Sequence, residues 1–210
     1  MIIALDGAST DLSLALADPD GTLIAEDAWS SAQRQSAELL PRLLALLERE
    51  ERRWGATTAL GVGTGPGSFT GLRVAMALAK GLAFALGRPL VGIGSLAAWL
   101  HAEPEAHAAV ARAGAREAYL LFRGAEEPRI VEREELASLA GRVLVAPAEL
   151  AAAFELEGTR SPRGAGAIAA LVAARLVERP SGDDVSILEP AYLRLPRGLR
   201  AQSGEQVRWL

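Results

Sequence analysis

The chain has no cysteine. That one absence excludes disulfides, thiolate metal sites and cysteine nucleophiles together, and it fits a reducing compartment. Histidine is almost as scarce. His101 and His107 stand six positions apart, whereas two imidazoles share a helix face at three- or four-residue spacing. No metal site or metallopeptidase centre built on histidine is therefore expected. Lysine occurs once, at Lys80, so 21 of the 22 basic residues are arginine. Aromatic residues make up only 5% of the chain while half of it is hydrophobic, so the core has to be built from alanine, leucine and valine. No sign of charge dominates: a net charge of −4 over 210 residues offers no basic face for gripping nucleic acid unaided. A Gly-x-Ser-x-Gly nucleophile elbow is also missing. The N-terminus runs directly into a strand with no basic stretch ahead of a long apolar core, so no signal peptide is expected. The most apolar helical stretch, Val74–Leu86, is too short to span a bilayer. These features predict a soluble, cytoplasmic protein with no membrane partner.

The length suits one large domain or two small ones, and the pattern divides near residues 94–105. Ile2–Leu5 is apolar. Leu12, Leu14 and Leu16 alternate with smaller residues, and Asp18-Pro19-Asp20-Gly21 is a turn that leads to a return strand over Thr22–Asp27. A three-stranded antiparallel meander follows from this. A helix capped near Ser31 is expected from Ala32 to Trp54, bent at Pro41. Its two leucine stripes, Leu39-Leu43-Leu46 and Leu40-Leu44-Leu47, make an apolar face wider than one sheet contact requires. Strand Leu60–Val62, helix Phe69–Leu86 ending at Gly87, strand Leu90–Ile93 and a short helix capped by Ser95 complete the first half. The second half is weaker in pattern. Strands are expected at 108–110, 118–122, 129–131 and 142–145, helices at 136–139, 148–154 and 166–177, and an extended tail over 183–200. No internal repeat is visible. The domains expected are residues 1–98 and a smaller α/β unit over residues 99–210.

The densest motif is Gly61–Gly71, with glycine at 61, 63, 65, 67 and 71, between a strand and a helix. Open backbone at a helix N-terminus suits close packing or an anion. The phosphate-loop pattern needs a lysine and a hydroxyl after the last glycine; here Ser68-Phe69-Thr70 follows Gly67, and no lysine comes before Lys80. The Gly-x-Gly-x-x-Gly spacing fails from every starting glycine. A sharp turn packed against another backbone is the simpler reading. Asp6 ends the first strand ahead of Gly7, Ser9 and Thr10, and these four are candidates for a nucleotide site, with a carboxylate positioned to hold magnesium or water. Alternatively, Asp6 and Asp11 cap a tight hairpin. On the second helix, Gly71, Ala75, Ala79 and Ala83 form a small-residue stripe suited to close helix contact.

Gly65-Pro66-Gly67-Ser68-Phe69-Thr70-Gly71-Leu72-Arg73 resembles the signature of the TsaB (YeaZ) family, non-catalytic paralogues of the TsaD/glycoprotease proteins. Ile3–Thr10, Gln35–Pro41 and Glu189–Arg194 are similar to the family's opening strand, first-helix motif and C-terminal motif. Gly7 and Gln35 depart from it, standing where threonine and histidine are frequent. The resemblance implies an actin/Hsp70/sugar-kinase-like (ribonuclease-H-like) α/β fold, with a mixed sheet, an antiparallel meander and a smaller degenerate second half. It implies a scaffold and activating subunit, without catalytic residues or an intrinsic metal or cofactor, in making threonylcarbamoyladenosine beside the anticodon of ANN-decoding tRNAs. The implied partners are a TsaD-like transferase, a TsaE-like ATPase, tRNA through the complex, or a second copy through the same helices. ATP or ADP would bind at a subunit junction. Leu39, Leu40, Leu43, Ser68, Phe69, Thr70, Gly71, Arg73 and Ala75 are the interface residues expected. The competing readings are an ATPase or phosphotransferase of the actin-like fold, for which Asp183-Asp184 lacks the glycines of a second phosphate turn, and a glycoprotease-like metallopeptidase.

Overall fold

The computed structural model describes residues 1–31 and 34–191. The expected helix start at Ala32 and the tail beyond Ala191 lie outside the described residues. Three strands, β1 (Ile2–Asp6), β2 (Asp11–Ala17) and β3 (Leu23–Ser30), form the expected antiparallel meander; β4 (Ala59–Gly63) and β5 (Leu90–Ile93) extend it in parallel. The strand order is β3-β2-β1-β4-β5. Helices α1 (Gln35–Arg49), α2 (Phe69–Leu86) and α3 (Ser95–Ala102) follow β3, β4 and β5 in turn.

The second half repeats this plan. A meander of β6 (Ala108–Arg112), β7 (Glu117–Phe122) and β8 (Arg129–Glu132) is followed by α4 (Arg133–Ala137), β9 (Leu144–Val145), α5 (Ala148–Phe154), β10 (Thr159–Arg160) and α6 (Gly164–Glu178). The order β10-β9-β6-β7-β8 is the first sheet's order with the same parallel and antiparallel pairs. The chain is therefore a tandem of two βββαβαβα units, the second shrunken, which is the two-lobed actin/sugar-kinase-like plan. The sequence shows no repeat because topology, not residue identity, is what the halves share. The two-residue β10 gives no periodicity to read.

Period-two alternation sorts the first sheet's side chains by size. Ile3, Leu5, Leu12, Leu14, Leu16, Leu60 and Val62 face α1 and α2, while Ile2, Ala4, Ala15, Ala17 and Ala59 face α6. The small residues on the second face let α6 lie very close, so that a Cβ at Gly61 would overlap Val172 and Ile168 of α6. The helix closing the second unit thus covers the first sheet, and α3, closing the first unit, packs through Leu96, Trp99 and Leu100 on the second sheet. Helices α4 and α5 cover that sheet's other face through Leu136, Leu150 and Phe154.

Helix α1 is shorter than expected. Glu51 adopts φ 51° and Arg52 N–H returns to the Leu47 carbonyl at 2.8 Å, a left-handed stop made without glycine. Pro41 lies inside the helix, and Trp54–Ala56 forms a separate 3-10 turn. By length and composition α2 is apolar enough to cross a membrane, which corrects the expectation drawn from Val74–Leu86. Here its stripe of Gly71, Ala75, Ala79 and Ala83 is buried within the protein.

Candidate functional site

The glycine motif makes a tight corner between β4 and α2, and the protein's own backbone fills it. Ser68 N–H donates to the Ala8 carbonyl at 2.6 Å. A Cβ at Gly67 would overlap that carbonyl, one at Gly7 the Gly71 carbonyl, and one at Gly71 the Gly7 carbonyl. The turn after β1 and the start of α2 are thus in backbone contact, which requires glycine on both sides. Ser68 caps α2 by accepting from Gly71 N–H at 3.2 Å, satisfying one of the first-turn donors.

Asp6 lies behind this corner, 2% exposed. Oδ2 accepts from Trp99 Nε1 at 2.6 Å, and Oδ1 accepts from the Ser95 hydroxyl at 2.8 Å and from Ala8 N–H at 3.2 Å. Gly63 and Gly164 press against it so closely that neither position could carry a Cβ. Burial raises its pKa above the ordinary aspartate value; the Trp99, Ser95 and Ala8 hydrogen bonds pull the other way. Asp6 therefore bolts β1 to α3 from within the core. Ser95 is the first residue of α3 rather than its cap, which is Gly94. Ser9 closes the turn itself, its hydroxyl donating to the Asp11 carbonyl at 2.9 Å and accepting from Asp11 N–H at 3.0 Å. Thr10, next to it, is half-buried. Of the four residues proposed for a nucleotide, Asp6, Gly7 and Ser9 are engaged in this packing.

The interface residues split into two groups. Leu39, Leu43 and Ala75 are buried in the core with Gly71, which corrects their placement on a docking surface: α1 and α2 need them against their own sheet. The outer side carries Leu40 (40% exposed), Leu44 (47%), Phe69 (43%) and Phe84 (90%). Thr70 and Arg73 are exposed and Ser68 half-buried, and the Arg73 guanidinium lies 3.7 Å from the Phe69 ring centroid. Helix α1 is held on its other edge. Trp29 Nε1 donates to Glu38 at 2.9 Å, and Arg42 pairs with Asp27 at 3.0 Å while covering the Trp29 ring.

Sequence reasoning missed Trp99, Ser13 and Glu26, and weighed Asp183 only as part of a phosphate turn that lacks its glycines. Ser13 Oγ accepts from Ala165 N–H and Glu26 Oε1 from Gly166 N–H, each at 3.0 Å, so the first sheet caps α6. Asp183 accepts from Gly92 N–H at 2.8 Å while its own N–H donates to the Leu90 carbonyl at 2.8 Å, closing the β5 edge. A lone carboxylate at the end of an apolar strand was the one available signal, since it demands buried donors somewhere.

Fold and corner together define an actin-like two-lobed protein whose buried Asp6 carboxylate serves packing. Residues 29–186 match the family model described as TsaD, tRNA N6-adenosine threonylcarbamoyltransferase. The chain belongs to that family and is of the TsaB (YeaZ) type. It is 34% identical over 96 residues to the Escherichia coli tRNA threonylcarbamoyladenosine biosynthesis protein TsaB, covering 45% of this chain and 40% of that protein. The Haemophilus influenzae TsaB is 39% identical over 79 residues, covering 37% and 34%. The matches thus span less than half the length of these curated relatives. A Pseudomonas aeruginosa crystal structure described as similar to peptidase YeaZ superposes with TM-score 0.70 at 26% identity, covering 92% of this chain and 99% of the other. A structure of YeaZ from the same organism gives 0.70 at 24%, covering 91% and 99%.

Proposed function

We propose that this chain is a scaffold and activating subunit, not an enzyme on its own, in threonylcarbamoyladenosine modification of tRNA at the adenosine beside the anticodon. It docks a TsaD-like transferase through the outer side of α1 and α2 and the corner at Ser68–Arg73. The observation that carries this reading is that Leu40 and Leu44 of α1 and Phe69 and Phe84 of α2 stay exposed on two helices whose inner faces are filled. Large apolar side chains left exposed on adjacent helices mark a protein contact, and Phe69 with Arg73 over its ring supplies the aromatic–arginine pair that contact centres favour. The names of the TsaB relatives supply the pathway. A TsaE-like ATPase joins the pair, tRNA is met through the complex, and a second copy uses the same helices when the transferase is absent. ATP or ADP binds at the junction rather than at Asp6, whose two oxygens are engaged from within.

The test is a reconstituted assay in the cytoplasmic setting proposed. The purified transferase should turn over at least tenfold faster with this protein than without it, and the gain should vanish with Leu40→Glu/Leu44→Glu. Equal turnover with and without the protein overturns the reading.

A further inference from the structure

One oxygen of Asp6 holds the corner at both ends. Oδ1 accepts from the Ser95 hydroxyl at 2.8 Å and from Ala8 N–H at 3.2 Å. Ser95 in turn grips Gly65 twice: its hydroxyl accepts from Gly65 N–H at 3.1 Å, and its own N–H donates to the Gly65 carbonyl at 2.9 Å. Ala8 grips Ser68, its carbonyl accepting from Ser68 N–H at 2.6 Å. Gly65 and Ser68 bracket the turn, and Ser68 then caps α2. Asp6, Ala8 and Ser95 are all buried, so these bonds are shielded from water and costly to leave unmade.

We propose that Asp6 is a positioning residue, and that Asp6 Oδ1, acting through Ser95 at one end and Ala8 at the other, sets the Gly65–Ser68 corner and thereby the outward presentation of Phe69 and Arg73 to a partner protein. The second half of this statement rests on the function proposed above; the first does not. An acceptor-only group suits the post because both of its Oδ1 partners are used as donors. Its burial between two lobes makes the outer corner depend on packing deep inside. The relay gives a use to an aspartate buried at the end of β1, whose oxygens accept from Trp99, Ser95 and Ala8. Asp6 also ties β1 to Trp99 of α3 through Oδ2, so the Oδ1 arm is the part that reaches the turn, and a variant that breaks that arm alone isolates its effect there.

Ser95→Ala separates the two cases. It removes the hydroxyl link while keeping the Trp99 bond to Asp6 and the Ser95 N–H bond to Gly65. Native-state amide hydrogen exchange should accelerate at least tenfold over residues 65–72 and stay within twofold over β6, β7 and β8. Affinity for the purified transferase should fall about tenfold. The control is Val131→Ala, a second-sheet core truncation, which lowers global stability but should leave both readouts near wild type. The proposal is overturned if Ser95→Ala exchanges like wild type over 65–72, if Val131→Ala accelerates that segment equally, or if affinity falls while exchange there is unchanged. Should the wild-type protein bind no transferase, the proposed function falls, and the exchange measurement still decides the relay.

Discussion

Trp99 Nε1 donates to Asp6 Oδ2 at 2.6 Å across 93 positions of sequence. The indole is fully buried, as is the carboxyl, and the bond ties the first strand to the helix that packs on the second sheet. An indole N–H can only donate, and ionised aspartate can only accept, so the two residue types fit one way round.

Trp99→Phe keeps most of the ring volume and deletes the donor. A buried carboxyl left short of a hydrogen bond costs about 1.5–3 kcal/mol, and we expect a loss of that size in urea unfolding monitored by circular dichroism. Wild-type stability within 0.5 kcal/mol would show that the bond is not a main tie between the lobes.

The raised pKa of Asp6 has a sign that can be measured. The folded chain keeps this proton to higher pH than the unfolded chain, where aspartate titrates near about 3.9. The contribution is therefore full below the unfolded value and is lost as pH rises through the folded one. Asp6→Asn has no proton to lose, so its stability should not share that decline. Parallel pH profiles for the two proteins would refute the assignment.

Two glycines should respond in opposite directions to alanine. At Gly7 a Cβ would overlap the Gly71 carbonyl, and neither backbone can withdraw without opening the corner; a loss of about 2–3 kcal/mol is expected, in the range of overpacked sites. Gly81 lies inside α2 with nothing within 4 Å of a new Cβ, and Gly81→Ala should stabilise by about 0.5–1 kcal/mol through helix propensity. Thermal melts of both variants check the pair.

Asp183 occupies the place of a further strand beside β5. Its carboxylate receives Gly92 N–H, and Arg175 donates to the Gly92 carbonyl at 3.1 Å. Asp183→Ala should cost about 1–3 kcal/mol by leaving an edge amide unpaired and expose the edge to pairing with other chains. Light scattering on heating should show earlier aggregation than wild type.

Leu40→Glu/Leu44→Glu changes only the outer side of α1. Stability should stay within about 0.5 kcal/mol of wild type, while association with the transferase or with a second copy is lost. Sedimentation velocity on the protein, alone and mixed, reads this directly.

Much of the first lobe was legible. Leu12, Leu14 and Leu16 announced a half-buried strand, Asp18-Pro19-Asp20-Gly21 a turn, and Phe69–Leu86 a helix with its glycine stop, because these signals are local and the chain obeys them locally. The end of α1 was not legible, since Glu51 makes a left-handed stop that only its surroundings enforce. The second lobe blurred because β9 and β10 have two residues each, too few for any period. At the site, the motif at Gly65–Arg73 could be read and its glycines interpreted as packing residues. Which leucines of α1 point outward could not, because two stripes of similar composition compete for one sheet.

The sequence by itself determined the strand and helix periods of the first lobe, the turn chemistry, and the family mark at the corner. Those depend on neighbours a few residues away. The tertiary structure alone decided that α6 crosses back to the first sheet, that Gly7 and Gly71 touch, and that Asp6 meets Trp99 and Ser95. Each of these joins distant residues through close approach in space. No local propensity encodes such a contact; the packing of alanine-faced strands and glycine-lined backbones does.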